Sequence, residues 1–114
     1  MSSMRVLCVE NEPGYMDVLR YMLESAGYEV TPAQTAGEAL RLLASQHFDG
    51  VLLEDNLPDA TGGSVRAEMK KLQPEVPVLL FAGVDDQTPL LLGFVDSYLR
   101  NSETPEWELH GLDA

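Results

Sequence analysis

Asp49–Gly63 reads DGVLLEDNLPDATGG, and the rest of the chain can be placed around it. Val51, Leu52 and Leu53 form an unbroken apolar run, the pattern of a strand buried on both faces of a parallel sheet. The run stops at two carboxylates, Glu54 and Asp55, followed by Asn56-Leu57-Pro58 and the pair Gly62-Gly63. A strand that ends in acids ahead of a proline- and glycine-bearing loop carries those acids at its carboxyl end. Open α/β sheets build their sites there, so Glu54 is where chemistry, or its remnant, is expected.

On the amino-terminal side, Met4–Val9 is a short apolar strand ending in Glu10-Asn11-Glu12. Pro13 opens a helix, in which Tyr15, Val18, Leu19, Met22, Leu23 and Ala26 fall at helical spacing and which Gly27 closes. Tyr28–Val30 is a brief second strand ending at Pro32. Thr35 and Glu38 form a T-x-x-E capping box for a helix carrying Ala39, Leu40 and Leu43, and Phe48 leads into the central strand. On the carboxyl side, Val65, Met69 and Leu72 mark a third helix running to about Gln73. Pro77–Ala82 is a fourth, fully apolar strand. Pro89–Phe94 reads as a short helix and Val95–Leu99 as a weakly alternating fifth strand, while Thr104-Pro105 is a start signal for a last short helix.

Strand–helix alternation with short connections predicts one α/β domain over 1–114, a doubly wound, five-stranded parallel sheet with helices on both faces. The most apolar strands, the first, third and fourth, belong in the middle, giving the flavodoxin-like order 2-1-3-4-5 with short fourth and fifth helices. In that order the first and third strands are neighbours, and Glu10, Asn11, Glu12 and Glu54 surround one cleft.

Nineteen acids against seven Lys plus Arg give a formal charge of −12. That balance excludes a phosphate-backbone partner for this domain, because nucleic acid needs a basic face. Cys8 is the single cysteine; inside the run VLCV it reads as a small buried hydrophobe. MSSMRV has no signal-peptide core and no apolar run approaches the roughly 18 residues of a membrane span, so a cytosolic location is expected. His47 and His110 have no second ligand near them in sequence and are not metal candidates. Gly14 alone follows the first strand, without the G-x-G-x-x-G that cradles a dinucleotide phosphate, which disfavours a nucleotide binder.

Four motifs in order, VLCVENEP, VLLEDNLPDATG, PVLLFAG and DSYL, resemble the receiver domain of bacterial two-component response regulators over essentially the whole chain. The resemblance implies a chemotaxis-regulator-like fold. It also implies acids after the first strand that hold Mg²⁺, an Asp ending the third that accepts a phosphoryl group from a histidine kinase, and a Thr or Ser ending the fourth. A Lys after the fifth strand completes the set. In-line transfer to a carboxylate needs those types: a hard cation on oxygen ligands, and donors where negative charge gathers. Here the acid pair falls on Glu10 and Asn11, the acceptor position on Glu54, the hydroxyl position on Ala82 and the lysine position on Asn101. The spacings to Pro58 and Gly62 match from Glu54 and are one short from Asp55.

The expectation is a degenerate receiver that is not an enzyme, a protein–protein interaction module acting without phosphorylation. Its partners would be a histidine kinase or a downstream effector. Glu54 is either a stand-in for the phosphorylated residue, with fewer charges and oxygens than a phosphoryl group, or an acid left by drift. The alternative is a phosphorylatable receiver with Asp55 as acceptor and Mg²⁺ bound, although neighbouring strand residues point to opposite faces and Asp55 should look away from Glu10. Weak Mg²⁺ binding would use Glu10, Asn11, Glu54 and Asn56. Tyr98 matches the family's switch aromatic, with half-buried packing the simpler reading. Leu90, Leu91, Leu92 and Phe94 are too many apolar residues for one helix face and suggest a partner or homodimer surface, on the fourth-helix, fifth-strand and fifth-helix side the family uses for association.

Overall fold

Three strands whose residues are apolar on both sides decide the architecture of the computed structural model, which describes residues 3–84 and 88–100. In β1 (Arg5–Val9), Val6 and Cys8 face one layer of core while Leu7 and Val9 face the other. In β3 (Gly50–Glu54), all five residues are buried. In β4 (Val78–Phe81), Leu79 and Phe81 join the first layer and Val78 the second. A strand buried twice over must lie inside a parallel sheet with helices on both faces. With β2 (Glu29–Ala33), the sheet is parallel throughout with order β2-β1-β3-β4.

α1 (Pro13–Ser25) and α4 (Thr88–Arg100) cover one face; α2 (Ala36–Ser45) and α3 (Gly62–Leu72) cover the other. On α1 it is Met16, Leu19 and Leu23 that turn inward. Tyr15 and Val18, expected on that inner face, are exposed, as is Tyr21. Burial pushes the Cys8 thiol up to about 12, so it is an inert core residue.

Two expectations fail here. β2 runs through Pro32 to Ala33 instead of stopping at the proline. Glu29 donates its N–H to the Met4 carbonyl, and the Ala33 carbonyl accepts from Glu10 N, so residues 29, 31 and 33 face β1 and Pro32 lies on the outer rim. The missing N–H of Pro32 therefore costs no ladder bond.

The second failure is larger: Val95–Leu99 is not a fifth strand. It is the second half of α4, which joins the expected short helix to the expected strand. Leu91, Val95 and Leu99 recur every four residues and all three are buried against the sheet. Leu99 reaches Gly50 at the start of β3, where a Cβ would lie 2.6 Å from its Cδ2. The absent side chain of Gly50 is what lets the end of α4 sit down on the sheet. The Tyr28 hydroxyl donates to the Asp96 carboxylate and ties the same helix to the turn before β2. Among the described residues the sheet thus has four strands, and the helix expected after Thr104 lies outside them.

Candidate functional site

β1 and β3 are paired with Val9 opposite Leu53. One residue further, Glu10 follows β1 and Glu54 closes β3, so the two glutamates stand side by side at the carboxyl edge of the sheet. Both are withdrawn from solvent, at 1% and 5% exposure. Buried carboxylates need donors. Glu54 Oε1 accepts the Asn56 N–H at 3.2 Å and Oε2 accepts the Gly83 N–H at 2.9 Å. One side chain therefore holds the segment after β3 and the segment after β4. Gly83 has φ +75°, a conformation glycine adopts without strain.

Glu10 Oε2 accepts the Glu12 N–H at 3.0 Å. Oε1 has no donor while both glutamates are ionised. Burial raises the Glu10 pKa most, and the neighbouring Glu54 raises it further, against the lowering effect of the Glu12 and Asn11 N–H groups. The scale of the conflict is set by like charges: two carboxylates roughly 5 Å apart repel by about 3 kcal/mol at an effective dielectric near 20. A proton on Glu10 removes that repulsion and turns the orphaned Oε1 into a donor toward Glu54.

The other acids of the expected cleft do different work. Glu12 turns away to cap α1, accepting from Gly14 N and Tyr15 N at 3.1 Å each. Asn11 borders an open cleft of about 530 Å³ that Asp55 and Asn56 also line. Asp55 donates its N–H to the Phe81 carbonyl, and its side chain lies against Gly62. Ala82 follows β4, is exposed and has no hydroxyl. Tyr98 belongs to α4, so it does not stand on a fifth strand. Asn101 and His110 lie outside the described residues. Of the expected interaction surface, Leu90 is 62% exposed, Leu91 is core at 3%, and Leu92 and Phe94 are partly buried against the α1-side layer.

Two features of the site were missed in the sequence. The donors that clasp Glu54 are backbone N–H groups, for which the small pair Ala82-Gly83 was the only hint. The other is Asp59, whose Oδ1 and Oδ2 accept the Ala36 and Gly37 N–H groups at 3.0 Å each and join the loop after β3 to the start of α2. These bonds hold the Asp59 carboxyl below its ordinary pKa.

No helix among the described residues is long and apolar enough to cross a membrane. The chain is similar to known proteins. The transcriptional regulatory protein PrrA of Mycobacterium leprae is 32% identical over 102 residues, 87% of this chain and 44% of that protein. The transcriptional regulatory protein GlrR of Escherichia coli K12 is 33% identical over 75 residues, 66% of this chain and 17% of that protein. The chain therefore spans less than half the length of either relative. A crystal structure of histidine kinase ThkA in complex with response regulator protein TrrA contains a chain that matches with a TM-score of 0.66 at 30% identity, covering 72% of this chain and 69% of that one. Residues 6–94 match the model of the response regulator receiver domain. With that match over most of its length, the four-stranded parallel order and the acids at the ends of β1 and β3, the chain belongs to the receiver domain family of two-component response regulators.

Proposed function

We propose that this receiver signals without a phosphoryl group, its Glu54 carboxylate doing permanently what a charged acceptor does on demand. The observation that carries the reading is the clasp: a buried carboxylate at the end of β3 accepting N–H groups from both Asn56 and Gly83. A longer acid than aspartate brings its oxygens to those donors unaided. Ala82 has no hydroxyl to add, so the clasp is made by backbone alone.

The partner reading rests on α1, where Tyr15, Val18 and Tyr21 leave apolar surface in water. Such a face suits a helical partner, and TrrA, which this chain resembles, is found bound to a histidine kinase. Leu90 adds a smaller exposed apolar position on α4 for an effector or a second copy.

A divalent cation fits this site poorly. Three of the four oxygens of Glu10 and Glu54 already accept N–H groups, only Glu10 Oε1 is free, and Asn11 is uncharged. Among the described residues no three His, Cys, Asp or Glu side chains are grouped as ligands. Mg²⁺ held by Glu10 and Glu54, with Asn11 and Asn56 beside them, is expected to be weak.

A second reading has one observation in its favour: Asp55 borders the open cleft, where a small phosphodonor can reach. Intact mass after incubation with acetyl phosphate and millimolar Mg²⁺, with calorimetry of the Mg²⁺ titration, separates the two. Unchanged mass and little heat are expected. A phosphoryl adduct that vanishes in the Asp55→Ala protein would establish Asp55 as the acceptor and overturn the first reading.

A further inference from the structure

We propose that residues 55–61 form a tether through which the state of the Glu54 carboxylate is passed to the first turn of α2. The tether is fixed at both ends. At its start Asn56 gives its N–H to Glu54 Oε1. At its close Asn56 pairs with Thr61 in an isolated antiparallel bridge, and the Gly62 N–H donates to the Asp55 carbonyl at 2.8 Å. Gly62 is so close to this turn that a Cβ on it would lie 2.8 Å from the Asp55 Cα. Leu57, buried in the α2–α3 layer, nails the middle to the core. A loop closed on itself in this way moves as a unit.

At its tip the unit grips another element. An α-helix begins with unsatisfied N–H groups. In α2 the Glu38 donor is met locally by Thr35 Oγ1, but the Ala36 and Gly37 donors are met from 22 to 23 residues away, by the two oxygens of Asp59. The start of α2 is therefore completed by the loop that Glu54 anchors. If Glu54 releases Asn56, the closed loop shifts as a unit about a remaining hold, the Asp55 N–H on the Phe81 carbonyl, and carries Asp59 out of its present geometry with the two amides. α2 becomes a read-out element of the site, whichever acid at the end of β3 is the chemically relevant one.

Amide NMR spectra of the wild-type chain, Glu54→Ala, Asp59→Ala and the double variant test this. Glu54→Ala is expected to move the Asn56 and Gly83 resonances and those of Ala36 and Gly37, and to speed hydrogen exchange at the latter pair. In the Asp59→Ala background the same change should still move Asn56 and Gly83 but no longer reach Ala36 and Gly37. Asp59 is exposed, so its truncation leaves the core intact. Glu54→Met, which keeps the side-chain length but has no oxygen to accept the Asn56 N–H, carries the test if Glu54→Ala does not fold. Ala36 and Gly37 resonances that stay in place when Glu54 is changed, or that move equally with and without Asp59, overturn the tether.

Discussion

Glu10 sits at the centre of the site's electrostatics, and its behaviour with pH has a definite sign. Its ordinary value is 4.5 and the folded protein raises it, by burial first and by Glu54 second. A carboxyl that binds its proton more tightly when folded contributes stability below 4.5, and loses that contribution as pH rises through the raised folded value. Each unit of difference corresponds to about 1.4 kcal/mol. Asp59 acts in the opposite sense: lowered in the fold, it contributes stability above the ordinary carboxylate range, which is lost as pH falls. Glu10→Gln keeps a donor beside Glu54 without the titration. Thermal melts of this variant are expected to fall less between pH 4.5 and neutrality than those of the wild type; parallel curves would show that Glu10 does not titrate in this window.

Among the elements, α4 is the informative one. If Val95–Leu99 is helical, Leu91 and Leu90 are adjacent in sequence and opposite in consequence. Leu91→Ala empties a core position and is expected to cost about 2–5 kcal/mol, while Leu90→Ala stays within about 0.5 kcal/mol, measured by urea denaturation. Equal costs would remove the assigned helix face. The same segment explains what the sequence left ambiguous. Val95 and Leu99 are four residues apart, a spacing that satisfies a strand's period of two and a helix's 3.6 equally well. Only their relation to Leu91 and Gly50, which is a fact of packing, decides between them. β1, β3 and β4 were legible because burial on both faces writes itself as a continuous apolar run. Glu10 and Glu54 were legible as acids ending those runs. Their donors were not, because a backbone N–H has no letter of its own. Glu12 was misplaced because an acid three residues before Tyr15 can either face a cleft or cap a helix. Tyr15 and Val18 were misplaced because Met16 gives α1 an alternative inner stripe with Leu19 and Leu23.

At the scale of the whole molecule, nineteen acids against seven Lys plus Arg leave a net charge of −12 to be confined in one small domain. Self-repulsion at that density destabilises the compact state, and salt screens it: the Debye length shrinks from about 10 Å at 0.1 M to about 3 Å at 1 M. The melting temperature is expected to rise with added NaCl over that range. A flat response would mean that the acids left over after pairs such as Arg20 with Glu24 and Lys71 with Glu68 lie too far apart to repel one another at 0.1 M salt. Charge keeps copies apart at a distance; at contact the shape of the sheet takes over. Pro32 lies on the free rim of β2, at a position facing away from β1. A strand from another molecule that docked on this rim would meet a carbonyl with no N–H beside it and a ring in the way of its own backbone. Sheet extension is thus disfavoured on that side by one residue, with no ladder bond lost inside the chain, and this obstacle persists when salt has screened the charge away.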